Sequence, residues 1–438
     1  MLINEDMFYQ IQYWIHEYSY ILILIQTLLI ALPFFFLKFN IRIKKLSSSL
    51  IITTFTTLIF LKFSNYVLTM SGWDRESICN WINIANSNEN LNIYTAQMQM
   101  NTNTPQFSSY YHPVLLNKFE YFCNFSSRFF NFLIIGLLLG SIIYFIYYFK
   151  NIKSSSIIVL VLFSFNNLVW LLLTGQFFFL EFLTLILTLL FLKNGNYKFA
   201  IFFSFIFGIQ KIYFFLVSIY LAIKYYKFKG LAALAVLFTV INLLSIELLP
   251  DFINFWFSSE GYFFGERVSR HSFLQERFGP NNQSLFFLIK GFTFLKDLIS
   301  PFSLLIIVFA GSMILISIAY RKAKTQIDNN KILDFIVFLA LILFYPLLKP
   351  YVFIYFSIIL LFLIEEINFK KFEDFTVQIT TFPAIMYLLI NDYLYINNEE
   401  LSYTHEFMYG MIYLYSFISS WILFAYVYRM QTIQKKNY

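Results

Sequence analysis

Charged residues are scarce in this chain: Asp, Glu, Lys and Arg together make up 13% of its 438 residues, against 59% hydrophobic residues. That is far from the mix of a soluble globular domain. A soluble fold would have to bury nearly every helix on all sides. Cysteine is almost missing. The two present, Cys79 and Cys123, make no metal-ligand spacing with histidine. There is no Gly-rich phosphate loop. Basic residues fall in short clusters, which excludes the stripe of a nucleic-acid surface. The first residues hold Glu5 and Asp6 where a cleavable signal peptide would be basic, so the first apolar run is expected to stay as a span.

What the chain has instead is apolar runs of roughly 20 residues, repeated to its end. They lie near 20–39, 50–70, 129–149, 155–173, 175–192, 199–210, 212–223, 231–249, 302–320, 332–347, 350–364, 377–391 and 407–428. The fold class this predicts is all-α, a polytopic integral membrane protein with about 11–13 transmembrane helices in one domain over 1–438. Aromatic residues make up 22%; an AT-rich genome accounts for that, so it carries no functional weight.

Placing the turn of Arg42, Lys44 and Lys45 in the cytoplasm and alternating from there puts 20 of the 31 basic residues inside. Of the 24 acidic residues, 6 fall inside. The asymmetry predicts an outside N-terminus and an inside C-terminus, and the net charge of +7 reads as topology. Two outside segments are long, 71–128 and 251–301, and long ordered loops tend to carry function. Every inside segment is too short for a nucleotide-binding domain, so neither a nucleotide sugar nor ATP is expected on that face.

The first long loop opens on Gly72-Trp73-Asp74-Arg75-Glu76. A carboxylate at the water-facing end of a membrane helix has two readings. Asp74 is either an interfacial group paired with Arg75 and anchored by Trp73, or a general base that takes a proton from an attacking hydroxyl. A departing lipid phosphate would need cationic neighbours. Lys211 is a candidate, set between runs 199–210 and 212–223. Each run is about 18 Å long as helix, short of the roughly 30 Å hydrocarbon core. They are either two half-length helices meeting in a cavity or one tilted helix with a buried lysine. An intramembrane charge costs at least about 2.5–3.5 kcal/mol, so either case needs a reason.

Gln176, at the start of another run, offers an amide to a sugar or phosphate, or simply caps its helix. Glu181 beyond it is a partner for Lys211 or half of a structural ion pair. Tyr110-Tyr111-His112-Pro113 precedes an expected interfacial helix, 114–126. His112 either orients Asp74 or the acceptor, or is polar trim at the interface. Arg267, Arg270 and His271 bind phosphate or form salt bridges within a solvated loop. Cys79 and Cys123 share the first long loop. If bridged in an oxidising compartment, they would add roughly 4 kcal/mol, but nothing in the sequence brings them within bonding distance.

The order of these motifs resembles family 87 glycosyltransferases, enzymes of the GT-C fold that use polyprenyl-phosphate sugars, typically mannose. The resemblance rests on Asp74, Tyr94 and Tyr110-Tyr111-His112-Pro113-Val114-Leu115, then Thr174-Gly175-Gln176, Gly208-Ile209-Gln210-Lys211 and Asn281-Asn282-Gln283-Ser284-Leu285. It covers roughly residues 50 to 365.

The resemblance implies a GT-C-like bundle with interfacial helices in the outside loops. Asp74 would be the catalytic base, with Lys211 and Gln176 in the donor site. Arg267 and Arg270 are assigned to donor binding; Tyr94, Tyr111, His112, Asn282 and Ser284 are assigned to the acceptor or to positioning. Family members often carry a Trp and histidines near the outside end of a late helix pair. The stretch here, Tyr345-Pro346-Leu347-Leu348-Lys349-Pro350-Tyr351, has no histidine, and Lys349 is the cation available.

The expected function is transfer of a hexose, mannose by resemblance, from a polyprenyl-phosphate donor to a glycan or glycolipid acceptor. It would take place on the extracytoplasmic side of the cell membrane, among membrane lipids and without nucleic acid. No cofactor is firmly implied; a divalent cation suits phosphate chemistry, but no ligand motif for one is present. Two rivals remain: a surface-polysaccharide polymerase or ligase working through Arg267 or Arg270, and a lipid-linked sugar flippase or transporter.

Overall fold

The computed structural model describes residues 73–87, 92–95, 112–152, 157, 178–210, 213–257, 330–343 and 352–367. Among the described residues the fold is all-α, with no strand. In chain order the helices are α1 (Trp73–Ser87), α2 (Pro113–Cys123), α3 (Ser127–Tyr148), α4 (Phe178–Lys193), α5 (Tyr197–Gln210), α6 (Tyr213–Leu243), α7 (Leu249–Phe257), α8 (Asn330–Leu343) and α9 (Val352–Ile367). The apolar runs near 20–39, 50–70, 302–320, 377–391 and 407–428 lie outside the described residues, as does 155–173 apart from Ile157.

α9 is the centre of the bundle. Its residues from Ile358 to Ile364 are all buried, a run longer than one 3.6-residue turn, so every face meets protein. α4 lies beside α9 and runs the same way. Glu181 near the start of α4 meets Tyr355 near the start of α9, and Lys193 at the end of α4 meets Glu365 at the end of α9 at 3.4 Å. α5 turns back from α4 through Gly195, whose φ of 76° suits a residue without a Cβ.

α6 is not one rod. Lys227 sits at φ 52° and ψ −134°, outside helical geometry. Phe215 and Phe238 lie on opposite sides of that break, yet their ring centroids are 5.6 Å apart. A straight helix would separate residues that far apart in sequence by about 34 Å. The chain therefore doubles back at Lys227 into two antiparallel legs of about 21 and 24 Å. Gly230 permits the close turn: a Cβ there would lie 2.5 Å from the Ala222 carbonyl oxygen.

The first leg of α6 also runs antiparallel to α5. Tyr197 stacks on Tyr225 at one end, and Phe207 stacks on Phe214 at the other. Gly208 makes this hairpin tight, since a Cβ at that position would come within 2.8 Å of the Phe215 Cα. Of the two sequence readings for runs 199–210 and 212–223, two short helices is the observed one.

Two described stretches are long and apolar enough to cross a membrane, Phe129–Tyr148 and Phe214–Leu243. The second reaches its length only by counting both legs of the hairpin. α3 presents large apolar side chains outward, including Phe132 at 60% exposed, Ile143 at 66% and Tyr147 at 90%. Its opposite face, with Phe130, Ile134, Leu138 and Phe145, is buried.

The sequence-based reading expects interfacial helices in the outside loops but places neither α1 nor α7 individually. α1 buries Arg75, Ile78 and Ile82, one stripe at i, i+3, i+7. The interfacial helix expected at 114–126 is present as α2 and ends at Cys123.

Candidate functional site

The helix ends sort into two layers. One holds Lys193, Lys224, Lys331, Asp334 and Glu365. Glu365 accepts from the backbone N–H groups of Lys150 at 3.3 Å and Asn151 at 3.1 Å and pairs with Lys193. Lys331 donates to the Lys193 carbonyl at 2.7 Å. Asp334 is fully buried, accepting from the Tyr220 hydroxyl at 3.0 Å, from Lys224 and from the Tyr225 hydroxyl. The sequence reading assigns every one of these lysines to the same side.

The opposite layer holds the described parts of the two long segments, with α1, α2 and α7. Cys79 of α1 and Cys123 of α2 are disulfide-bonded, with Cα atoms 5.5 Å apart. Arg75 strengthens the junction. Its guanidinium donates to the carbonyls of Phe125 at 2.6 Å and Phe122 at 3.3 Å, and it lies 4.8 Å from the centroid of the Phe130 ring at the start of α3. α1 is thus tied to α2 and to the first turn of α3.

The same layer ties residues 92–95 to α7. Asn92 Nδ2 donates to Asp251 Oδ2 at 2.6 Å. Tyr94, fully buried, packs against Phe252 and Phe255 of α7, and burial pushes its phenol well above the usual range. His112 caps α2: its Nδ1 accepts from the Val114 N–H at 3.3 Å. The proton of the neutral ring therefore sits on Nε2, which donates to Asn242 Oδ1 at 3.2 Å. Burial lowers the His112 pKa, and the Asn242 hydrogen bond opposes that shift. His112 is buried, with both ring nitrogens engaged. Tyr94 thus joins 92–95 to α7, and His112 joins the start of α2 to the second leg of α6.

Below this layer lies a buried polar cluster. Glu181 on α4, 1% exposed, accepts from the Tyr355 hydroxyl on α9. Tyr355 is bracketed by Phe207 at 5.3 Å and Phe214 at 5.8 Å between ring centroids. Gln210, one turn beyond Phe207 on the same face of α5, is buried, and its Oε1 has no hydrogen-bond partner among the described residues. Three assigned donor-site residues flank these ends in sequence: Gln176 just before α4, Lys211 between α5 and α6, and Lys349 just before α9.

The vertical relation between the two groups follows from α6. Phe238 packs on Phe215 beside the α5–α6 hairpin. Asn242, the partner of His112, is one turn further along, about 6 Å, and its Nδ2 donates to the Phe238 carbonyl at 2.7 Å. His112 and the hairpin end are consecutive levels of one end of the bundle.

Asp74 occupies the first turn of α1; its side chain lies outside the described residues, as do Gln176, Lys211, Arg267, Arg270, Lys349, Tyr111, Asn282 and Ser284. Glu181, expected either to pair with Lys211 or to form a structural ion pair, accepts from Tyr355; Lys211 lies outside the described residues. Sequence reasoning did not single out Tyr355, Asn242 or Asp251, none of which stands in a recognisable motif. Among the described residues no group of His, Cys, Asp and Glu could hold a metal ion. Comparison with protein-family models, with curated proteins and with solved structures gave no match.

Proposed function

We propose that the chain is a polytopic membrane glycosyltransferase that moves a hexose from a polyprenyl phosphate to a hydroxyl of a glycan or glycolipid acceptor on the extracytoplasmic side. One observation carries the reading. The helix ends adjoining Gln176, Lys211 and Lys349 gather around Glu181 and Tyr355, at the end of the bundle that also holds α1 with Asp74. The lysine-rich layer lies at the other end.

The membrane part of the reading is supported by the outward apolar face of α3, which water would not favour over this area. α3 spans about 33 Å, close to the hydrocarbon thickness. The disulfide between α1 and α2 suits an oxidising compartment and therefore the outer face. The short α5 and first leg of α6, starting from the lysine layer, would stop about 9 Å short of the far interface. Their facing ends, next to Lys211 in sequence, would then lie below that interface.

In the mechanism, Asp74 accepts the acceptor's hydroxyl proton as that oxygen bonds the anomeric carbon. The bond from the anomeric carbon to the phosphate oxygen breaks with inversion. Lys211 steadies the negative charge that collects on the phosphate, and Gln176, Arg267, Arg270 and Lys349 bind the donor. Positioning both lipids in one recess supplies much of the rate. The test is product analysis by mass spectrometry after incubating purified protein with a panel of polyprenyl-phosphate hexoses and an acceptor glycolipid. A new glycosidic product from one donor is expected; movement of labelled lipid across vesicles without any new glycosidic bond would replace this reading with a flippase.

A further inference from the structure

The lysine-rich layer is unevenly neutralised. Among the described residues its carboxylates are already engaged: Asp334 by Lys224, and Glu365 and Glu366 by Lys193 at 3.4 and 4.0 Å. Lys150, Lys198, Lys227 and Lys229 are exposed at the same end, with no carboxylate partner among the described residues. Contacts place them together. Tyr148 bonds Asn194 in the α4–α5 turn at 3.0 Å, and Tyr197 beside Lys198 stacks on Tyr225, two residues before Lys227.

The tip of the α6 hairpin is the most pronounced part of this surface. It reads Lys227-Phe228-Lys229, with Phe228 81% exposed. Lys227 holds its left-handed backbone there, so the reversal is fixed. Tyr147, 90% exposed, stands at the same end on α3. A ring flanked by two cations suits a plane that is apolar on one side and anionic on the other. An aqueous polyanion would leave the two rings in water, whereas lipid headgroups over acyl chains take both the rings and the lysines.

We infer that this face is a binding surface for anionic phospholipid headgroups, with Lys227 and Lys229 holding lipid phosphates and Phe228 seated at the acyl boundary. The inference rests on the membrane part of the reading above and is independent of the transferase chemistry. Lysines at such a surface act through a few ångströms of interfacial water and add nearly independently. The hairpin tip is therefore a lipid-dependent brace for α5 and α6, which hold the buried polar cluster at their far ends.

The experiment uses the full chain in nanodiscs of phosphatidylcholine alone or with phosphatidylglycerol, read by thermal melting. The native protein should melt about 4 °C higher in the anionic discs, and Lys227→Gln/Lys229→Gln should lose most of that gain while matching the native protein in neutral discs. Soluble glycerol phosphate added to neutral discs should give no gain. An equal gain in the double variant, no gain in the native protein, or a full gain from the soluble phosphate each overturns the inference. Failure of the chain to enter discs at all would overturn the membrane reading with it, whereas entry without lipid dependence would overturn the inference alone.

Discussion

The Tyr355 hydroxyl donates to the Glu181 carboxylate across α9 and α4, with both side chains buried. Removing the donor leaves a buried carboxylate short of a bond. Tyr355→Phe should therefore cost about 1–3 kcal/mol, measured as a lowered melting temperature in detergent. Glu181→Gln, which keeps an acceptor and removes the charge, should be milder. A Tyr355→Phe protein as stable as the native one would show that the bond does not hold these helix ends.

The Cys79–Cys123 bridge closes a loop with a sequence separation of 44 residues. In the chain-entropy model such a closure is worth about 4 kcal/mol. Alkylation of the native protein should find neither thiol until a reductant is added. Cys79→Ser/Cys123→Ser should then lower stability to the level of the reduced native protein. Free thiols in protein purified without reductant would contradict the bridge and weaken the case for an oxidising compartment.

His112 gives a pH dependence with a definite sign. Burial lowers its folded-state pKa below the ordinary value of 6.5, so between the two values the unfolded chain binds a proton that the native protein does not. Its contribution is fully present above that ordinary value and is lost as pH falls from there through the lowered folded-state value. Stability should decline as the pH is taken from 7.5 to 5, and His112→Gln should flatten that part of the profile. A steeper acid loss in the variant would reverse the assignment.

Gly208 faces the backbone of Phe215, where an added Cβ would lie at 2.8 Å. Gly136 has nothing within 4 Å of the same construction. Gly208→Val should cost about 1–3 kcal/mol or more through the strain of overpacking, while Gly136→Ala should be neutral or slightly stabilising through helix propensity. If hydrophobic transfer between lipid and protein is near zero, such close backbone approaches hold the bundle together. Equal effects at the two sites would argue that the α5–α6 hairpin is looser than described.

How much of this was legible in the sequence follows from what each signal reports. The run read at 129–149 is α3, and the pair split at Lys211 is α5 and the first leg of α6, because continuous apolarity and its interruptions mark helices directly. Lys227 and its neighbours break the pattern in the same way, so the runs 212–223 and 231–249 fall on the two legs of α6. α1 was not legible as a helix. Its stripe of Arg75, Ile78 and Ile82 is short and includes a charge, so it reads as polar loop. The Cys79–Cys123 distance, the His112–Asn242 bond and the Asn92–Asp251 bond join residues far apart in the chain, and spacing carries no information about them. For the candidate site, the motif residues stand in sequence beside helix ends that the fold brings together; the packing between those ends, Tyr355 above all, follows only from the fold.

The central claim is that Asp74 removes the acceptor's proton at the end of the bundle where α4, α5 and α9 converge. The direct measurement is initial rate of hexose transfer from the preferred polyprenyl-phosphate donor by native protein and by Asp74→Asn, each confirmed folded by its melting curve. General-base catalysis contributes about 10²–10⁴-fold, so the account predicts a loss of that size in turnover with donor binding unchanged. A folded Asp74→Asn protein that transfers hexose at the native rate would contradict it.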